Sequence, residues 1–212
     1  MSHEFKTLSS ELLLDAPIIA VRRDEVAMPD GHVASREVVE HFGAVAIAAV
    51  DDQGRIAMVN QYRRSVDRHL LELPAGLLDI KGEDELTGAQ RELQEEAGLA
   101  AEQWETLADL VTSPGFCEEA VRVFLARDLH EVEALHAVGD EEADMDFLWL
   151  PLEEAVAKIL SGEIVNSIAV GGILAADRVI NHGGATRPAD APFDLRPQSL
   201  AARRQGPDMK KL

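Results

Sequence analysis

The chain of 212 residues holds a single cysteine, Cys117. One thiol closes no intrachain disulfide and builds no cysteine-based zinc site, so a reducing cytoplasm is the expected environment. Long apolar runs are missing too: the longest, 42–50, falls far short of the ~20 residues that a membrane-spanning helix needs. The N-terminal MSHEFKTLSSELLLD lacks the basic stretch and apolar core of a secretory leader. Positive charge is scarce. Against 39 Asp and Glu stand 20 Lys and Arg, leaving a formal charge of -19 and a pI near 4.6. Such a surface repels nucleic acid and anionic membrane, and small molecules or other proteins are the partners to expect. What is plentiful is apolar residue, 46% of the chain, enough for one globular domain with a sizeable core.

FGAVAIAAVDDQGRIAMVNQ, residues 42–61, reads as two apolar strands around an Asp-Asp-Gln-Gly turn. That pattern predicts a β-hairpin covered on both faces. Further strands are expected within 69–76, 104–112, 120–129 and 146–152. A strong helix ending at Gly98 lies among them, and two more follow. One spans 152–160, with Leu152, Val156, Ile159 and Leu160 at helical spacing; the other spans 167–180, capped from Asn166 or Ser167. This order predicts an α/β protein, a mixed β-sheet sandwiched by helices rather than a regular βαβ array. The expected division is an N-terminal β-rich arm over 1–40, a main domain over 41–182 and a mobile tail over 183–212, rich in Pro, Gly, Ala and charge.

RELQEEAGL, residues 91–99, sets Glu92, Glu95 and Glu96 on one side of the strong helix, with Ala89, Leu93 and Ala97 opposite. Two carboxylates about 5 Å apart at an effective dielectric near 20 repel by roughly 3 kcal/mol. A sheltered cluster of three therefore needs a cation, and a hard divalent ion with oxygen ligands suits it. For such a helix taken alone the other explanation is a solvated acidic face, which costs only a few tenths of a kcal/mol per like pair.

The neighbouring residues favour the metal. Glu83, Arg91, Glu92, Leu93, Glu95, Glu96, Gly98 and Leu99 fall in register with a signature of Gly, five residues, Glu, seven residues, then Arg-Glu-apolar-x-Glu-Glu-x-Gly-apolar. On these residues the chain resembles the Nudix hydrolases. At roughly 6% usage per specified residue, the charged and glycine positions from 91 to 98 coincide by chance in well under one chain in a thousand. One feature departs from the pattern: six residues, not five, separate Gly76 from Glu83. The resemblance covers about residues 40–175. It implies the Nudix-fold α/β/α sandwich, with Glu92 and Glu96 binding divalent metal and Glu95 sharing or orienting that network. The Ala75 carbonyl is implied as a further ligand, next to the signature glycine Gly76. Glu83 and Arg91 are implied as a helix-orienting pair, or form an ordinary salt bridge. The metal implied is Mg2+, with Mn2+ as alternative. Such ions neutralise a P–O–P linkage, polarise phosphorus and lower the pKa of a bound water. They also let a strongly acidic protein hold an anionic substrate.

Substrate choice must come from outside the helix. TSPGFCEEAVRVFLA puts Pro114 16 residues beyond Gly98, which resembles the ADP-ribose pyrophosphatase branch of the family, although SPG alone is also an ordinary turn. ELPAGLLDIKGE, with its lengthened loop, and GEIVNSIA are similar to the actinobacterial-type members. The resemblance implies hydrolysis of ADP-ribose to AMP and ribose 5-phosphate, with another nucleoside diphosphate sugar or a dinucleotide as alternative. A non-catalytic sensor on the same fold is disfavoured, because the three helix glutamates are kept and no helix-turn-helix is legible. In this branch a loop glutamate serves as general base. Within GDEEADMD, 139–146, Glu142 is the first choice and Glu141 the second, with Asp144 as an extra metal contact; the other explanation is an acidic surface loop. Arg63 is placed to fork onto a phosphate. Glu119 is a candidate for the ribose or adenine side, and Phe116 for stacking or for the core. His41 and His69 show no metal spacing, and Cys117 reads as a small packing residue. The resemblance also implies a homodimer that shares N-terminal segments, for which residues 1–40 are long enough.

Overall fold

The computed structural model describes residues 4–133 and 145–204. Three antiparallel strands, β1 (Lys6–Asp15), β2 (Ala20–Ala27) and β3 (Val33–Glu40), form an N-terminal sheet in that order. β1 is an edge strand, exposed along its whole length.

The strand that follows, β4 (Ala44–Ala49), is buried at every residue. Strand alternation explains how a continuous apolar run can be used in full. Val45, Ile47 and Ala49 point to one face and pack with Ala89 and Leu93 of α1 (Glu85–Ala97). Ala44, Ala46 and Ala48 point to the other and pack with Ala169, Ile173 and Ala176 of α3 (Ser167–Ile180). A helix on each face of β4 makes the α/β/α sandwich. The five-stranded sheet between them has the order β11-β8-β9-β4-β7, built from β7 (Ala75–Leu77), β8 (Leu99–Val111), β9 (Ala120–Glu131) and β11 (Arg187–Pro188). Only the β4–β9 pairing is parallel, so this sheet is mixed. A separate antiparallel sheet has β5 (Arg55–Arg63) between β6 (Arg68–Glu72) and β10 (Asp146–Pro151). α2 (Leu152–Leu160) follows β10, and Asn166 caps α3 by accepting from the Ile168 and Ala169 amides. Among the described residues no helix is long and apolar enough to cross a membrane.

Two expectations need correction. The turn within 42–61 forms, with the Asp51 amide on the Arg55 carbonyl at 3.0 Å and a single bridge between Val50 and Ile56. The two strands then part into different sheets, so they are not a hairpin. Turn chemistry sets a chain reversal, whereas partner choice belongs to the tertiary fold. Nor do residues 183–204 hang free as a mobile tail. Arg187 and Pro188 pair with β8, and the Ala191 and Pro192 carbonyls accept from the buried Arg122, whose guanidinium stacks 4.6 Å from the Phe193 ring centre. Farther on, Leu200 of α4 (Ser199–Arg203) is wholly buried with Phe42 and Ala20. Isolated anchors of this kind leave no periodic pattern to read.

Candidate active site

α1 is framed by its own sequence. Asp84 caps it, accepting from the Thr87 amide at 2.9 Å, and Gly98 ends it in the left-handed conformation at φ 62° with its N–H on the Gln94 carbonyl. The glycine that closes the signature is thus the residue whose backbone stops the helix.

Glu92 lies within the buried side of α1, beside Leu93, instead of opposite it; it is 1% exposed. Space for it comes from Gly76, where an added Cβ would fall inside the Glu92 carboxylate. Gly76 is held in β7 opposite Val45, so sheet pairing sets how near its backbone lies to the helix. One turn on, Glu96 Oε2 accepts the Ala75 amide at 2.9 Å. Two carboxylates therefore converge on the Ala75–Gly76 backbone, and the longer loop between Gly76 and Glu83 does not disturb that register.

Arg91 ties the remaining acids together. Its Nε and Nη2 donate to the two Glu83 oxygens at 2.9 and 3.1 Å, while Nη1 donates to Glu92 Oε1 at 2.7 Å and Glu95 Oε2 at 3.1 Å. Burial opposes the charge on Arg91, but the Glu83 hydrogen bonds and the Glu92 and Glu83 charges outweigh it and push its pKa still higher. Gly88 makes room for this arrangement, since a Cβ there would sit 3.1 Å from Glu83 Oε2. A glycine inside a helix costs about 1 kcal/mol relative to alanine, so helix stability is given up here to seat Glu83.

Three carboxylates, Glu83, Glu92 and Glu95, thus share one guanidinium, and a fourth, Glu96, lies one turn beyond Glu92 on the Ala75 amide. Among the described residues no three Asp, Glu, His or Cys side chains already form a group that could hold a metal ion. The donors nonetheless fit a hard divalent cation: all are oxygens, two meet at one backbone notch, and negative charge is in excess. Arg91 takes one oxygen of Glu92 and one of Glu95.

The other sequence-predicted residues are placed unevenly. Arg63 forks onto the buried Glu72, with Nε 3.0 Å from Oε1, so its two-pronged face meets a protein carboxylate and not an open site. Glu119 accepts from the Thr112 hydroxyl and lies 3.6 Å from His41 Nε2. Phe116 is 59% exposed, which removes it from the core. Its carbonyl accepts the Val39 amide at 2.7 Å, and the Glu118 amide donates to the Val39 carbonyl at 3.0 Å, so the SPG turn is laced to β3. Pro114, Gly115 and Phe116 line a cleft of about 410 Å³ with Arg36 and Val38 of β3. Glu141, Glu142 and Asp144 lie outside the described residues.

Sequence reasoning missed Arg36 and two charged ties to the C-terminal segment. Arg22 Nη1 donates to Glu40 at 2.9 Å and to Glu118 at 3.1 Å, and Arg203 also pairs with Glu40. Arg196 pairs with Glu85 Oε1 at 2.9 Å and reaches the Leu78 and Glu83 carbonyls at 3.4 and 3.5 Å. These partners lie up to 163 residues apart in sequence, and no local signal marks them.

Residues 39–167 match the NUDIX domain, and residues 5–39 match the nucleoside diphosphate sugar hydrolase N-terminal domain. The chain belongs to the Nudix family and is a hydrolase, of a family that uses divalent metal ions. An ADP-ribose pyrophosphatase of Mycobacterium tuberculosis is 54% identical over 205 residues, covering 95% of this chain and 97% of the relative. A methanol dehydrogenase activator of Bacillus methanolicus is 39% identical over 168 residues, 79% of this chain and 89% of that one. A solved structure described as an ADP compounds hydrolase shares the fold, with a TM-score of 0.72 at 22% identity, over 85% of this chain and 97% of its own.

Proposed function

We propose that the chain hydrolyses the pyrophosphate of ADP-ribose to AMP and ribose 5-phosphate, with Mg2+ or Mn2+ held by Glu92, Glu96 and the Ala75 carbonyl. The observation that carries this is the meeting of Glu92 and Glu96 at the Ala75–Gly76 backbone, beside a guanidinium shared by Glu83, Glu92 and Glu95. When bound, the divalent ion supplies charge neutralisation and a water of lowered pKa. Glu95 shares that network, and Arg91 with Glu83 holds the carboxylates in place. Glu142, or failing it Glu141, takes the proton of the attacking water, which suits a loop glutamate because the helix glutamates are engaged; Asp144 adds a metal contact. Phe116, Pro114 and Glu119 lie along the loop that faces the sugar and base. Arg63 remains a candidate for phosphate only if it leaves Glu72. The 54% identical pyrophosphatase supports ADP-ribose as substrate. The N-terminal domain match supports the second choice, another nucleoside diphosphate sugar. A homodimer joined through the N-terminal sheet is part of the proposal, supported by the exposed β1 with its Leu8, Leu12, Leu13 and Leu14.

The test is product analysis in oxygen-18 water with ADP-ribose, GDP-mannose and NADH side by side. AMP and ribose 5-phosphate are expected from the first, with turnover of it fastest. Replacing Glu92 and Glu96 by Gln together abolishes turnover and metal uptake, and Glu142→Gln lowers kcat by about 10²- to 10⁴-fold. Calorimetry that finds no uptake of Mg2+ or Mn2+ by the parent overturns the proposal.

A further inference from the structure

The C-terminal segment reaches the metal-binding helix from behind. It leaves β11, is held by Arg122 through the Ala191 and Pro192 carbonyls and the Phe193 ring, and reaches Leu200, buried against Phe42. Between these anchors stands Arg196. Its guanidinium meets the Leu78 carbonyl at one end of the loop that enters α1, the Glu83 carbonyl at the other, and the Glu85 carboxylate in the first helical turn. Within the loop Asp79 is buried, whereas Lys81 and Gly82 are exposed, and Gly82 turns at φ 79°. A cleft of about 380 Å³ opens here, lined by Leu78, Lys81, Glu83, Arg196, Gln198 and Ala201. Apolar packing therefore does not fill the space between segment and loop, and directional hydrogen bonds fix their separation. Glu83, whose carbonyl Arg196 contacts, is the residue whose carboxylate takes two donors of Arg91, and Arg91 in turn holds Glu92 and Glu95.

We infer that residues 187–204 act as a strap that sets the position of the metal-binding glutamates, with Arg196 as the positioning residue. This rests on Glu92 and Glu96 being the metal ligands. Arg196 touches no reacting group; it acts through Glu83 and Arg91. The fork geometry is what the site needs, because one planar guanidinium spans two carbonyls and a carboxylate, which a lysine ammonium on a flexible stem cannot match.

The experiment is Mn2+ binding read by electron paramagnetic resonance on the full chain, with thermal melting and steady-state kinetics beside it. Arg196→Ala is expected to weaken Mn2+ binding by about 3- to 10-fold, at or below the low end of what outer-shell partners cost. KM for ADP-ribose at saturating metal stays that of the parent. Arg196→Lys is expected to recover part of the loss through Glu85. Arg187→Ala, which cuts the strap's tie to Asp109 at its far end, is expected to lower the melting point and leave Mn2+ binding unchanged. Parent-like Mn2+ binding in Arg196→Ala overturns the inference, and so does an equal loss in Arg187→Ala, which marks mere destabilisation. Should Arg196→Ala not fold, Arg196→Lys is judged against the parent by the same binding criterion. A parent that binds Mn2+ but leaves ADP-ribose intact defeats the substrate proposal alone, and the comparison of variants still stands.

Discussion

Arg91 and Arg122 are both wrapped by acceptors, yet the two centres are built to opposite ends. Arg122, 1% exposed, meets Asp109 with Nε at 2.8 Å and Nη2 at 3.1 Å, and directs its other donors to the Ala191 and Pro192 carbonyls. Arg187 closes on the same Asp109 at 2.8 Å. Burial works against the Asp109 charge, but the hydrogen bonds from Arg122 and Arg187 prevail and hold its carboxyl below the usual range. Acid is fully answered there. Around Arg91 one guanidinium serves three carboxylates, Glu83, Glu92 and Glu95, so acid outnumbers base there. A carboxylate met by two guanidiniums has its charge answered within the fold, whereas three carboxylates sharing one guanidinium leave negative charge that a cation would offset.

The sharpest way to break the comparison is Gly76→Ala. The added methyl needs the space of the Glu92 carboxylate, and Glu92 is flexible enough to yield it without unfolding the sheet. The expected outcome is a fall in kcat/KM of about 10²- to 10³-fold or more, the scale on which misplaced charge stabilisation is felt, with a melting point close to the parent's. Unchanged turnover in this variant would show that Glu92 works equally well elsewhere.

Arg122→Met is the converse. It leaves Asp109 with Arg187 as its charged partner and strands the Ala191 and Pro192 carbonyls, which costs about 1–3 kcal/mol, read as a lower urea midpoint. Activity per folded molecule, measured well below the transition, stays near that of the parent. A variant that keeps its midpoint but loses turnover reverses the roles assigned to the two arginines.

How far the sequence foretold each centre follows from the distances along the chain. Everything around Arg91 lies within 83–96 except the Ala75–Gly76 notch, so helical spacing alone brings Glu92, Glu95 and Glu96 together. Helices α1, α2 and α3 were legible for the same reason: caps such as Asp84 and Asn166, and apolar spacing within one helix, are local. The burial of Glu92 was not legible, because the cause is the absence of a side chain at Gly76, 16 residues away. Arg122 offers no such help. Its partners stand 13 residues ahead and about 70 residues behind, in a segment whose Pro and charge resemble a loose end. The same limit explains the misplaced hairpin, since β4 prefers β9, some 77 positions on, to the strand that follows it directly.

The smallest expected effect concerns His41, where β3 passes into the sandwich, and it tests whether nearby acid always secures a charge. His41 Nδ1 accepts the Gly43 amide at 3.1 Å, which puts the proton on Nε2, 3.6 Å from Glu119. Burial lowers its pKa from the ordinary 6.5, and the charges of Glu119 and Glu118 offset this only in part. Two carboxylates thus fail to do for His41 what they do for Arg91, because a second proton would also cost the Gly43 bond. Since the folded pKa lies below the unfolded one, the unfolded chain takes up a proton as pH falls through about 6.5 while the folded chain resists it. Stability from this group is therefore present at higher pH, declines below about 6.5, and levels off under the folded pKa. His41→Asn retains an acceptor for Gly43 and cannot titrate. Urea midpoints at about pH 8 and about pH 6 are expected to differ less in the variant than in the parent. Equal differences in the two would mean that His41 keeps its ordinary pKa, and that acid near the joint does hold a proton.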